Sequence, residues 1–270
     1  MGDTPAQSRS GFLHLLSRLR SYFILDPLIF FYTAVLGAIS LAASLFDSSG
    51  RTQHGLARAW SWMILKTSMA PVRVYGRDRL DPAQAYVFAA NHISAFDIPV
   101  LYTGLPVQFR IVAAKYLFRY PFVGWHLKRS GQIAIDPSSA RATFKSLSGA
   151  VQDLAKGLSV VIFPEGGRSP DGMVKPFMNG AFYVAIKAQV PVVPVTIVGT
   201  FEMLPMNTFH IMPRPLELYF GDPIPTAGMT THQLDQLALQ VQDAVEDQYY
   251  ARSVVQRTAA PEKVESEMHR

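Results

Sequence analysis

Between Asp26 and Asp47 the chain carries no charged residue for twenty positions, Pro27–Phe46. That is about the length a helix needs to cross the hydrocarbon core of a bilayer. The run is too long for a typical cleavable signal, and no clean small-x-small site follows it. Residues 1–24 before it are basic and amphipathic, with Arg9, Arg18 and Arg20 set among Phe12, Leu13, Leu15, Leu16 and Leu19. The segment after it, roughly 52–68, is amphipathic too. Three structures satisfy this pattern: one spanning helix, a hairpin entering and leaving the same leaflet, or a helix of the core. Basic residues flank both sides, so charge does not orient the segment.

Composition agrees with a lipid setting. Of 270 residues, 49 % are hydrophobic and only 17 % charged, the net charge is +5, and mean hydropathy is +0.14. A basic and apolar chain suits an anionic membrane surface more than nucleic acid, and no nucleic-acid-binding motif is present. With no cysteine, a disulfide framework and cysteinyl metal sites are excluded. No second histidine stands at ligand spacing from His92, so no metal site is expected.

From Pro71 the pattern changes. Short apolar runs at 72–75, 85–90, 109–113, 132–135, 158–163, 192–198 and 216–220 read as strands. Helices fit 140–156, with Ser139 as cap, 177–188, and 231–250, which would bury Leu234, Leu237, Val241 and Val245. Alternation of this kind predicts an α/β fold: a mixed, largely parallel central sheet flanked by helices, with an N-terminal helical segment attached.

Two strand exits carry charge. The run 85–90 leads into Asn91-His92-Ile93-Ser94-Ala95-Phe96-Asp97, and 158–163 leads into Pro164-Glu165-Gly166-Gly167-Arg168-Ser169. Loops on a rigid scaffold are where reactive groups commonly sit. A His–Asp pair can take a proton from an alcohol. An arginine fork suits a phosphate or carboxylate, and glycines let backbone approach a ligand closely. An alternative makes Asp97 the cap of a helix beginning at Ile98-Pro99 and leaves Glu165 and Arg168 as a surface ion pair.

These loops belong to a longer pattern. Asn91-His92-x-Ser94-x-x-Asp97 is followed by Lys115-x-Leu117-x-x-x-Pro121-x-x-Gly124 running on to 131–136. Then come Phe163-Pro-Glu-Gly-Gly-Arg-Ser169 and 190–197. Four blocks in this order resemble the glycerolipid acyltransferases, and most of all the 1-acyl-glycerol-3-phosphate (lysophosphatidate) acyltransferases. The resemblance covers roughly residues 70–220; with the apolar N-terminal run and the polar C-terminal composition, the expected division is a membrane anchor over 1–70, an acyltransferase domain over 71–251 and a disordered tail over 252–270. The resemblance implies transfer of a fatty acyl group from acyl-CoA or acyl carrier protein to the free hydroxyl of lysophosphatidic acid, giving phosphatidic acid, with no other cofactor. His92 would be the general base and Asp97 its orienting partner. Arg168 would meet the acceptor's phosphate, with Glu165, Gly166, Lys115, Asn91 and Ser94 as further substrate-binding candidates. The family also implies a place on the cytoplasmic face of a membrane, the cell inner membrane if the source is bacterial.

Three positions depart from the family pattern. Pro137 stands where the second block usually has arginine, Gly167 where the third has Thr or Ser, and Met178 where a lysine is usual. Two lost cations point towards an acceptor other than a phosphomonoester, such as a lyso-phospholipid or lyso-aminolipid, unless Lys128, Arg129 or Arg141 compensates. A non-catalytic lipid-binding protein of the same fold is a further alternative, against which the intact His92–Asp97 pair argues.

Overall fold

The computed structural model describes residues 5–47, 49–136 and 140–257; Pro137 and the cap expected at Ser139 lie outside them. The chain opens with α1 (Pro5–Arg20), one π-helical turn at Ser21–Leu25, and α2 (Asp26–Ala43), which follow one another as a single long helix. After α3 (Arg51–Thr67) come β1 (Val72–Tyr75), β2 (Val87–Ala90), α4 (Asp97–Gly104), β3 (Phe109–Ala114), α5 (Val123–Arg129) and β4 (Ile133–Ile135). They are followed by α6 (Ala140–Ala155), β5 (Ser159–Ile162), α7 (Gly180–Ala188), β6 (Val192–Val198), α8 (Thr200–Met203), β7 (Leu216–Phe220) and α9 (Leu234–Tyr250).

The seven strands form one sheet in the order β1-β7-β6-β2-β5-β3-β4. Every pairing is parallel except β6 with β7, so the expected mixed, largely parallel sheet is present. Strands β2, β5 and β6 are buried at every position. That is why they read as unbroken apolar runs rather than alternating ones. In β2, Phe88 and Ala90 face a core built with α3 and α4, while Val87 and Ala89 face a second core built with α6, α7 and α9. Leu237, Val241 and Val245 of α9 are buried, Leu234 partly so, and a Thr230–Gln233 capping box starts the helical stretch.

Helix α7 starts three residues later than its sequence pattern suggests. The backbone N–H groups of Lys175, Phe177 and Met178 are taken by Glu165, Gln242 and Pro164 respectively. With its donors occupied from outside, this stretch has no reason to wind into a helix. Helix α4 stands where the alternative reading places a helix from Ile98-Pro99; α5 and α8 are not evident in the apolar pattern, and tertiary packing sustains these short elements.

Helices α2 and α3 form an antiparallel hairpin, joined by Trp60 Nε1–H donating to Thr33 Oγ1 at 2.9 Å. Ser40 ties α2 to α5 through His126 Nδ1 at 2.7 Å. A Cβ on Gly37 would lie 2.8 Å from the Cβ of Phe122, so only glycine lets α2 settle here. The other face of the long helix is open: Phe23, Phe30, Phe31 and Ile39 are exposed. The stretch Phe12–Ala43 is long and apolar enough to cross a membrane. Its start is pinned to the domain by Ser21, which exchanges hydrogen bonds with the backbone of Ile211. Residues 252–257, assigned by sequence to the polar tail, stay against the domain. Arg252 lies over the Tyr219 ring at 4.6 Å, and Arg257 pairs with Glu246.

His54 of α3 is buried against the rings of Tyr102 and Phe109, and neither ring nitrogen has a hydrogen-bond partner among the described residues. Burial, with Arg58 and Arg110 adding repulsion, pushes its pKa down to about 4. The folded protein therefore holds neutral a group that the unfolded chain protonates near pH 6.5. This contribution to stability is complete above pH 6.5 and is lost as pH falls towards 4. His54→Phe keeps the shape and removes the orphaned polar atoms. It should melt at or above the wild-type temperature at pH 7 and lose less between pH 6.5 and 4, as thermal unfolding in detergent would read out.

Candidate active site

Sheet register brings the two charged loops together. Strands β2 and β5 are neighbours, with Ala89 opposite Ile162, so Asn91-His92 and Pro164-Glu165 leave the sheet side by side. The helix after β2, α4, packs on one face of the sheet, and the helix after β5, α7, packs on the other. Divergence of that kind opens a crevice at the carboxyl ends of parallel strands.

Asp97 is fully buried and opens α4, but its side chain does not cap that helix. Its Oδ2 accepts hydrogen bonds from His92 Nδ1 at 2.8 Å and from the N–H groups of Ile93 and Ser94 at 2.7 and 2.9 Å. Oδ1 accepts from Thr200 Oγ1 at 2.6 Å. The carboxylate thus winds the loop around itself and takes the ring as one more donor. With Nδ1 engaged, Nε2 is the nitrogen available to a ligand. The imidazole stacks on Phe163 with ring centroids 3.9 Å apart, which fixes its plane.

Glu165 locks the second loop to the first. Its Oε1 accepts from the His92 N–H at 2.7 Å and its Oε2 from the Lys175 N–H at 3.0 Å. Burial raises its pKa to about 7, against the lowering effect of those two bonds and of Lys175. Ser169 N–H adds a return bond to the His92 carbonyl at 3.0 Å. Gly166 has φ +70, a backbone conformation that calls for glycine.

His92, Gly166, Gly167 and Arg168 border a cavity of about 520 Å³. Its remaining wall comes largely from apolar side chains, among them Leu36 of α2, Ala57 and Trp60 of α3, Ile98 of α4 and Ile111 of β3. The other candidate residues are placed differently. Asn91 is buried and splices β2 to β6, exchanging both its amide bonds with the backbone of Ile197 at 3.0 and 2.8 Å. The Ser94 hydroxyl donates to the Leu204 carbonyl at 2.8 Å, away from the histidine. Lys115, largely exposed, pairs with Asp136 at 3.3 Å. Lys128 and Arg129 border a separate small pocket with Leu41 and Trp125.

Three contributors escaped the sequence pattern. Thr200 lies just past the fourth block, and only the turn at Gly199 brings it onto Asp97. Phe163 reads as the last residue of a strand. Lys175 sits within the segment between the third block and α7, and its ammonium donates to the Arg168 carbonyl at 3.4 Å.

Residues 71–198, which hold strands β1–β6 and this His–Asp loop, match the family model described as Acyltransferase. More particularly, the chain is similar to 1-acyl-sn-glycerol-3-phosphate acyltransferases. It is 35 % identical to that of Chlamydomonas reinhardtii over 68 % of this chain and 54 % of the relative. It is 30 % identical to that of Limnanthes douglasii over 64 % and 61 %, and 26 % identical to that of Saccharomyces cerevisiae over 90 % and 84 %. The match thus covers less than two thirds of the length of the first two. The crystal structure of the 1-acyl-sn-glycerophosphate (LPA) acyltransferase from Thermotoga maritima superposes with a TM-score of 0.71 at 25 % identity, covering 88 % of this chain and 95 % of that one.

Two predictions come from this geometry. Thr200→Val leaves one oxygen of a buried carboxylate unpaired, a loss of about 1–3 kcal/mol; thermal unfolding should show the lower stability, and turnover should fall because the ring loses its fixed partner. Glu165 binds its proton more tightly folded than unfolded. Its proton-linked stabilisation is therefore complete below pH 4.5 and lost as pH rises through about 7. The melting-temperature advantage of wild type over Glu165→Gln should shrink across that window.

Proposed function

We propose that this chain transfers a fatty acyl group from an acyl thioester, on coenzyme A or acyl carrier protein, to the free hydroxyl of 1-acyl-glycerol-3-phosphate, giving phosphatidic acid. The observation that carries this reading is the His92–Asp97 pair standing at the edge of a largely apolar cavity. The cavity volume lies within the ~300–1,000 Å³ common for small-molecule sites. The names of the similar proteins support the same acceptor.

In this mechanism His92 Nε2 takes the proton of the acceptor hydroxyl as its oxygen attacks the thioester carbonyl carbon. The carbon–sulfur bond breaks, and the departing thiolate takes the proton back from the imidazolium. Asp97 stays ionised, holds the ring in one tautomer and stabilises its positive form. No acyl-enzyme is required, in keeping with a Ser94 hydroxyl turned to the Leu204 carbonyl. The acyl chain occupies the apolar cavity, and Arg168 meets the phosphate. The exposed apolar face of the N-terminal helix lies against a phospholipid membrane, on the cytoplasmic side where thioester donors are found. The cations missing at Pro137 and Met178 favour a second reading, the same reaction on another lysolipid.

Thiol release from acyl-CoA by the detergent-solubilised protein tests both readings, with lysophosphatidate and a panel of other lysolipids as acceptors. Release with lysophosphatidate is expected, and His92→Ala should reduce it by roughly 10²–10⁴-fold. Undiminished turnover in that variant would overturn the mechanism. Release only with another lysolipid would keep the mechanism and move the acceptor.

A further inference from the structure

A phosphomonoester carries close to two negative charges at neutral pH. One guanidinium leaves about half of that unmatched, and the lysine usual at position 178 is replaced here by methionine. The terminal methyl of Met178 lies over Gly166. Another cation stands on the same turn. The Lys175 N–H is held by Glu165 Oε2 at 3.0 Å, which fixes its backbone to the strand-exit loop. Its Nζ reaches back to the Arg168 carbonyl at 3.4 Å and lies 3.9 Å from where a Cβ on Gly167 would be. An ammonium has three N–H donors, and that long bond uses one of them.

We infer that Lys175 is a phosphate-binding residue of the acceptor site, acting beside Arg168 in place of the lysine missing at position 178. This rests on the lysophosphatidate reading given above. The two groups are complementary: the guanidinium offers a planar fork, and the ammonium a compact charge that can turn to face a second oxygen. Lys175 is half-buried and is not part of the cavity wall. It stands where a charged headgroup can keep contact with water while the fatty chain does not. The absence of a side chain at Gly167 leaves the ammonium room to approach the turn. Glu165, whose carboxyl is held up by burial, opposes an incoming phosphate less than an ordinary carboxylate would.

Steady-state thiol release, with lysophosphatidate and acyl-CoA varied in turn, tests this on the full chain. Lys175→Met should raise the KM for lysophosphatidate about tenfold or more, as expected for a lost hydrogen bond to a charged group. Its kcat should fall far less, and the KM for acyl-CoA should hold. Lys175→Arg should stay near wild type. Returning the charge in Lys175→Met/Met178→Lys should recover much of the lost affinity, which a merely structural role would not allow. An unchanged KM for lysophosphatidate in Lys175→Met overturns the inference. So does a rise in the KM for acyl-CoA instead, since the lysine would then be reading the donor's phosphates. If wild type itself releases no thiol with lysophosphatidate, the acceptor assignment has failed, and this inference falls with it.

Discussion

The structure of the candidate site depends on one buried carboxylate. Asp97 has no exposure to solvent and accepts four hydrogen bonds, two from its own loop, one from His92 and one from Thr200. A buried ionised group persists only when its lone pairs are met. Meeting them forces Ile93 and Ser94 to curl over the side chain, sets the direction of the imidazole, and ties the end of β6 to the start of α4. The orientation of the imidazole is therefore a consequence of satisfying the carboxylate.

A second carboxyl does related work on the neighbouring loop with a different electrostatic outcome. Glu165 bonds only to backbone N–H groups, one from each strand-exit segment, and burial leaves its proton affinity high. It acts as a clamp between the His92 loop and the Lys175 segment. Asp97 faces a titratable ring, whereas Glu165 faces none. That contrast separates the carboxylate that orients the imidazole from the one that holds the turn in shape.

The N-terminal helices complete the site instead of merely accompanying it. Residues of α2 and α3 supply part of the cavity wall; Thr33 joins the two helices, and Gly37 and Ser40 seat the hairpin against Phe122 and His126. The same long helix leaves large apolar side chains exposed on its other face. One element thus borders an apolar interior space on one side and offers an apolar surface on the other.

Much of this was legible in the amino-acid order. Runs buried on both sides, such as 192–198, carry their strand character in composition alone. The charges at His92, Asp97, Glu165 and Arg168 stand out because they interrupt such runs at the exits. Four blocks in order carried the family resemblance. Local sequence could not say that β2 and β5 are neighbours, since pairing joins residues more than seventy positions apart. Nor could it separate Asp97 as a helix cap from Asp97 as the partner of His92, because both use the same residue at the same spacing. Thr200 and Lys175 acquire their roles only where a glycine turn and a clamped backbone carry them to the site. Sequence by itself determined which segments must be buried and which chemical groups were available. Tertiary structure alone decided which groups meet, because hydrogen bonds and charges act over a few ångströms and chain distance does not measure that.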